Sequence, residues 1–206
     1  MVAERVDDPA LPHAVGLVGD WEHHAGEGHQ HLAGTKGLRP RPTLPGVIRA
    51  AEPRDVPTIL ALIRDLATYE RAPDQVEATE DQLREALFGP DPRVHAHVAE
   101  DSGQVVGFAL WFLNFSTWQG RHGIYLEDLY VRPELRGRGH GKALLQTLAG
   151  LCVERGYGRL QWWVLDWNEP SIDFYRSLGA VPMDEWTVWR VDGEALHQLG
   201  TRAGQP

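Results

Sequence analysis

A single cysteine in 206 residues, Cys152, leaves no partner for an internal disulfide and no thiolate cage for a metal, which agrees with a reducing, cytoplasmic setting. No window approaches about eighteen consecutive apolar residues, so a helical membrane span is not expected. Residues 1–20 carry acids and prolines with no apolar segment behind a basic start, so no secretory leader is expected and the chain reads as soluble. Basic residues are in the minority, 20 Lys and Arg against 29 Asp and Glu, for a net charge of −9. That balance disfavours nucleic acid, whose phosphates are bound by Lys and Arg through counterion release, and it suits a small cationic partner. There is no internal repeat.

The chain divides by composition. Residues 1–46 are rich in Gly, Pro and His with no sustained periodicity, and are expected to form a poorly ordered tail. Its histidines, His23, His24, His29 and His31, match no metal-binding spacing. A single domain is expected over 47–206. Residues 47–51 predict a short strand. Val56, Ile59, Leu60, Ile63 and Leu66 recur at helical spacing behind Asp55 as N-cap, and a second helix over 79–88 opens on a Thr79/Gln82 capping box and stops at Gly89. Strands over 94–100 and 105–113 join across Asp101-Ser102-Gly103-Gln104 as a hairpin, and a third strand covers 124–131. A helix over 139–155 turns Leu144, Leu148, Leu151 and Cys152 to the core, which makes Cys152 packing and not a nucleophile. A strand over 160–165, a helix from Asn168-Glu169-Pro170 to Gly179, and a last strand over 187–191 complete an α/β fold, a mixed sheet with helices on its faces.

The run from Leu129 to Leu145, LYVRPELRGRGHGKALL, is built to hold a phosphate. Gly137, Gly139 and Gly141 let backbone N–H groups approach an anion, and the following helix adds its positive end. A dinucleotide fingerprint would need Gly or Ala at Lys142, and a P-loop would need Ser or Thr at Ala143 and Gly at Arg136, so both of those readings fail. Arg136, Gly137, Arg138, Gly139, His140 and Gly141 instead resemble the acyl-CoA pyrophosphate loop, Arg/Gln-x-x-Gly-x-Gly/Ala, of the GNAT acetyltransferases. Together with Tyr69-Glu70, YLEDLYV at 125–131 and WNEPSIDFY at 167–175, the chain over roughly 47–199 resembles the diamine acetyltransferases, the spermidine/spermine N1-acetyltransferase and thialysine acetyltransferase group.

The resemblance implies the GNAT fold, mostly antiparallel with helices on both faces, and acetyl-CoA as co-substrate with no metal. It implies that the strands over 124–131 and 160–165 splay to admit the pantetheine arm against the backbone of Leu129, Tyr130 and Val131. Residues Gly137 to Lys142 would hold the pyrophosphate, and Asn168 and Ser171 the far end of the cofactor. A primary amine of pKa near 10.4 costs about 4.6 kcal/mol to deprotonate at pH 7, so a base is needed. Glu127 suits that role, although a strand residue of this kind is as readily a solvent-facing charge. Tyr175 matches the family's general acid. Glu70 and Asp128 are expected to hold the substrate's second ammonium, with Tyr69 and Trp118 adding cation–π contact and Glu185 within reach of the same pocket. Ser116-Thr117-Trp118 stands where the polyamine enzymes have Asp-Pro-Trp, which favours a lysine-like diamine over long polyamines. The resembled enzymes also imply a homodimer. Two rivals stay open: a GNAT transferase for an unrelated amine, such as a peptide N-terminus or an antibiotic, and a non-catalytic acyl-CoA-binding module.

Overall fold

The structure, a computed structural model, describes residues 46–202, so the expectation of a disordered His-rich tail lies outside the described residues. Four strands run as an antiparallel meander: β1 (Val47–Ala50), β2 (His95–Asp101), β3 (Gln104–Ser116) and β4 (Arg121–Val131). The two-residue β5 (Leu160–Gln161) adds in parallel beyond β4, giving the mixed sheet order β1-β2-β3-β4-β5. The β2–β3 turn places Ser102 at φ 53° and Gly103 at φ 78°, the doubly left-handed geometry that tight hairpins select.

β3 is apolar on both faces, as a central strand between two helical layers must be. On one face α1 (Val56–Tyr69) seats Ile59 and Leu62 against Val98, Phe108, Leu110 and Tyr130. On the other, α3 (His140–Arg155) seats Leu144, Leu145, Leu148 and Cys152 against Ala109, Trp111 and Leu126. Leu144 and Leu148 are fully buried, each stabilising the fold by about 1.5–3 kcal/mol. Cys152 is core, as expected, and burial raises its thiol pKa. α2 (Glu80–Phe88) carries both hydrogen bonds of the Thr79/Gln82 capping box. Asp55 occupies the N-cap of α1 but does not cap it; its carboxylate accepts two hydrogen bonds from Arg49, at 2.6 and 2.9 Å, and one from the Glu52 N–H.

The structure departs from the sequence reading in three places. The strand expected over 160–165 is cut to Leu160–Gln161, because its pairing with β4 ends at Tyr125↔Gln161 and the two chains then diverge. No strand forms over 187–191: residues 181–201 are all exposed, so this β-prone segment finds no neighbour to pair with among the described residues. An unanticipated helix, α5 (Gly193–Arg202), follows it. No helix among the described residues is long and apolar enough to cross a membrane.

Candidate active site

The glycine loop follows β4 through a short 3-10 turn at Pro133–Leu135 and ends at Gly139, the N-cap of α3. Gly137 and Gly139 have φ 75° and 92°. A Cβ on Gly137 would meet nothing within 4 Å, so glycine is required there by backbone conformation and not by space. No side chain caps α3, and its first N–H groups and positive end are left for an anion. The edge of β4 from Leu126 to Val131 bonds β3 on one side and, beyond Tyr125, has no strand partner on the other among the described residues. An uncapped helix start beside an open strand edge fits an acyl-CoA, a pyrophosphate joined to an amide-bearing arm.

The motif's side chains split into two sets. Lys142 and Arg138 are exposed beside the loop. Arg136, also exposed, folds back on its own chain: its Nε donates to the Val131 carbonyl at 2.9 Å, and its guanidinium lies 4.8 Å from the ring centre of Tyr69 and 5.4 Å from that of Tyr130. His140 is buried, 2 % exposed. The loop is thereby tied to the C-terminal end of α1, where Tyr69 and Glu70 stand.

A β-bulge arranges the acidic residues. Leu110 pairs with Asp128 and Trp111 with Leu126, so Glu127 is the extra residue of β4. The bulge lets Asp128 and Tyr130 share the α1 face with Leu110 while Leu126 and Leu129 pack toward α3. Asp128 is half-buried, and burial, then Glu127, then Glu70 push its pKa up to about 7. Desolvation also raises Glu70, and burial together with Glu127 carries Tyr125 to about 12.

Tyr175 projects from α4 (Glu169–Ser177) and packs 4.9 Å from Trp162 and 5.4 Å from Phe174, centre to centre. Burial first, then the charges of Glu70 and Tyr69, push its hydroxyl to about 12. Asn168, the N-cap residue of α4, is buried, and its Oδ1 accepts a 2.9 Å hydrogen bond from the Tyr69 hydroxyl. Its backbone carbonyl accepts from Ser171 N–H at 3.0 Å. The side chain of Asn168 thus joins α4 to α1. Tyr69, Glu70, Glu127, Asp128, Arg136, Asn168 and Tyr175 form one connected group.

Ser116 and Trp118 do not join it. They sit at the β3–β4 turn, where Ser116 is buried with its Oγ accepting from Gln119 N–H at 3.2 Å and Trp118 is 89 % exposed. That turn is seven strand residues from Asp128, roughly 23 Å along β4. Glu185 lies in an exposed turn and is not among the charges acting on Asp128 or Tyr175. The sequence reading missed Arg71, which closes α1 in the left-handed region at φ 64° and places its guanidinium 4.7 Å over Trp167. Nothing in the sequence marks it; Trp167 was visible only as part of the WNEPSIDFY string.

The chain is similar to known proteins. Residues 59–180 match the model of the acetyltransferase (GNAT) family. The thialysine N-epsilon-acetyltransferase of Bos taurus is 42 % identical over 164 residues, 74 % of this chain and 96 % of that protein. The L-ornithine N5-acetyltransferase NATA1 of Arabidopsis thaliana is 32 % identical, covering 74 % and 86 %. Among solved structures, an integron cassette protein from the mobile metagenome of V. cholerae superposes with a TM-score of 0.64 at 26 % identity, over 75 % of this chain and 96 % of that one. The glycine loop, the diverging β4 and β5 and the span of the family match together place this chain in the GNAT acetyltransferase family.

Proposed function

We propose that the protein transfers acetyl from acetyl-CoA to the side-chain amine of a small lysine-like diamine, of the thialysine type in preference to polyamines. The observation that supports this reading is the position of Glu70, whose charge acts on both Asp128 and Tyr175, while the exposed Glu127 acts on Asp128 at the open edge of β4. Three carboxylates suit a substrate with two basic nitrogens, and a tyrosine with a pKa near 12 keeps its proton at pH 7 for donation. The similarity to enzymes named for thialysine Nε and ornithine N5 acetylation supports an amino-acid side-chain amine as acceptor.

Acetyl-CoA supplies an acetyl group activated as a thioester. The backbone N–H groups from Gly137 to Lys142 hold its pyrophosphate, and Leu129, Tyr130 and Val131 offer backbone groups to its amide arm. Asn168 and Ser171 fix the start of α4 against that arm. The charge of Glu127 acts on its neighbour Asp128, so the base is the pair and not Glu127 alone; Asp128, pushed up to about 7, is poised to take the ammonium proton. Glu70 holds the second ammonium, assisted by the ring of Tyr69. Tyr175 passes its proton to the departing sulfur. Transfer is direct within a ternary complex.

The protein also acts as a homodimer in this reading. Support comes from the arm over 181–201, which exposes Trp186, Val188 and Trp189 without burying them against the described residues of its own chain.

The test is CoA thiol release from acetyl-CoA with thialysine, lysine, ornithine, spermidine, spermine and a peptide amine in turn. The expected result is fastest turnover with thialysine or lysine. Preference for spermidine would overturn the acceptor assignment, and tight CoA binding without turnover on any amine would overturn the enzymatic reading.

A further inference from the structure

His140 is the one member of the glycine motif whose side chain has neither solvent nor a hydrogen-bond partner. It is 2 % exposed, and both ring nitrogens are buried without a bond. The group that faces it is the Asp101 carboxylate, with Oδ2 3.5 Å from His140 Nε2. The same oxygen is 3.8 Å from the Arg138 guanidinium. Asp101 ends β2 at the tight hairpin, remote in sequence from the loop it meets. Its other oxygen, Oδ1, accepts a 3.0 Å hydrogen bond from the Ser102 hydroxyl, which aims Oδ2 at the loop.

The two glycines on either side of Arg138 have positive φ, so the loop has little local preference for one shape. Its shape must come from anchors. Arg136 provides one, on Val131, Tyr69 and Tyr130. A charge-assisted contact to a side chain on the first turn of α3 provides the second, on the opposite side of the loop.

We infer that Asp101 is a positioning residue for acyl-CoA binding: acting through buried His140 and through Arg138, it holds the glycine loop in the shape that receives the pyrophosphate. This rests on the loop being the acyl-CoA site. Asp101 touches neither acetyl group nor amine, so it governs affinity for the cofactor and not the chemical step. Its negative charge opposes the pyrophosphate, so the anchor outweighs the repulsion only if loop order dominates binding.

The experiment is calorimetric CoA binding and steady-state kinetics on the wild type, Asp101→Asn, His140→Leu and the double variant. Wild-type binding comes first, because its absence would overturn the acyl-CoA assignment of the loop itself. With wild-type binding in hand, Asp101→Asn is expected to weaken CoA and raise the KM for acetyl-CoA about tenfold, with kcat at saturation and the KM for amine within about twofold. The double variant is expected to lose no more than about twofold beyond the worse single one, because both act through one contact. Ser102→Ala, a milder change outside the core, should weaken CoA about twofold in the same direction. Unchanged or tighter CoA binding in Asp101→Asn, strictly multiplicative losses, or a fall in kcat at saturation would overturn the assignment.

Discussion

Replacing Asp128 by Asn should make the protein more stable in a way that depends on pH, and the size of the effect follows from the site. An aspartate has an ordinary pKa of 3.8, and here burial and the charges of Glu127 and Glu70 raise it to about 7. Below pH 4 the carboxyl is protonated in folded and unfolded chains alike and contributes no pH dependence. Between those values the folded protein keeps a proton that the unfolded chain has released. Stability therefore falls by up to about 1.4 kcal/mol per pH unit and levels off above 7. Complete, the loss is about 4 kcal/mol, and water reaching the half-buried group brings it to roughly 2–4 kcal/mol. Asparagine carries no such charge. Urea unfolding of wild type and Asp128→Asn at pH 4.5 and pH 8.5 should show the variant gaining at least about 2 kcal/mol more at the alkaline pH. Acetyl transfer should fall by about 100-fold in the same variant, since half of the base pair is gone. An equal stability difference at both pH values would refute the raised pKa and with it the base assignment.

Three further outcomes follow from the same group of residues. Glu127→Gln removes a charge that raises Asp128, so the acidic limb of kcat/KM, near pH 7 in the wild type, should move to lower pH while the rate falls; the pH–rate profile reads this directly. Tyr175→Phe should lower kcat by roughly 100-fold with CoA affinity within about twofold, measured by steady-state kinetics beside calorimetry. Tyr69→Phe leaves the buried Asn168 Oδ1 without its donor and should cost about 1–3 kcal/mol by thermal or urea unfolding, with a raised KM for amine.

Much of this was legible in the sequence because the signals were local. The Thr79/Gln82 capping box, the Ser102-Gly103 turn and the glycine loop each depend on residues within a few positions of one another, and each appears in the structure where the sequence placed it. What was not legible depends on partners far away in the chain. The bulge at Glu127 arises from register against β3 and leaves no mark in YLED, so it could not be read that Asp128 would pair with Leu110 while Glu127 is left over. The side chain of Asn168 meets a tyrosine 99 residues earlier, a contact no local signal announces. Asp101 read as a hairpin residue and nothing more, although it faces the buried His140. Residues 187–191 have strand composition, but a strand needs a neighbour, and the described chain gives them none.

In the proposed reaction, the site containing Asp128, Glu127 and Tyr175 acetylates the side-chain nitrogen of a lysine-like diamine. Mass spectrometric mapping of the product formed from acetyl-CoA and thialysine tests it most directly. One acetyl group on the side-chain amine, formed by the wild type and not by Tyr175→Phe on the same timescale, is the predicted result. Acetylation at the α-amine, or equal product from both proteins, would contradict it.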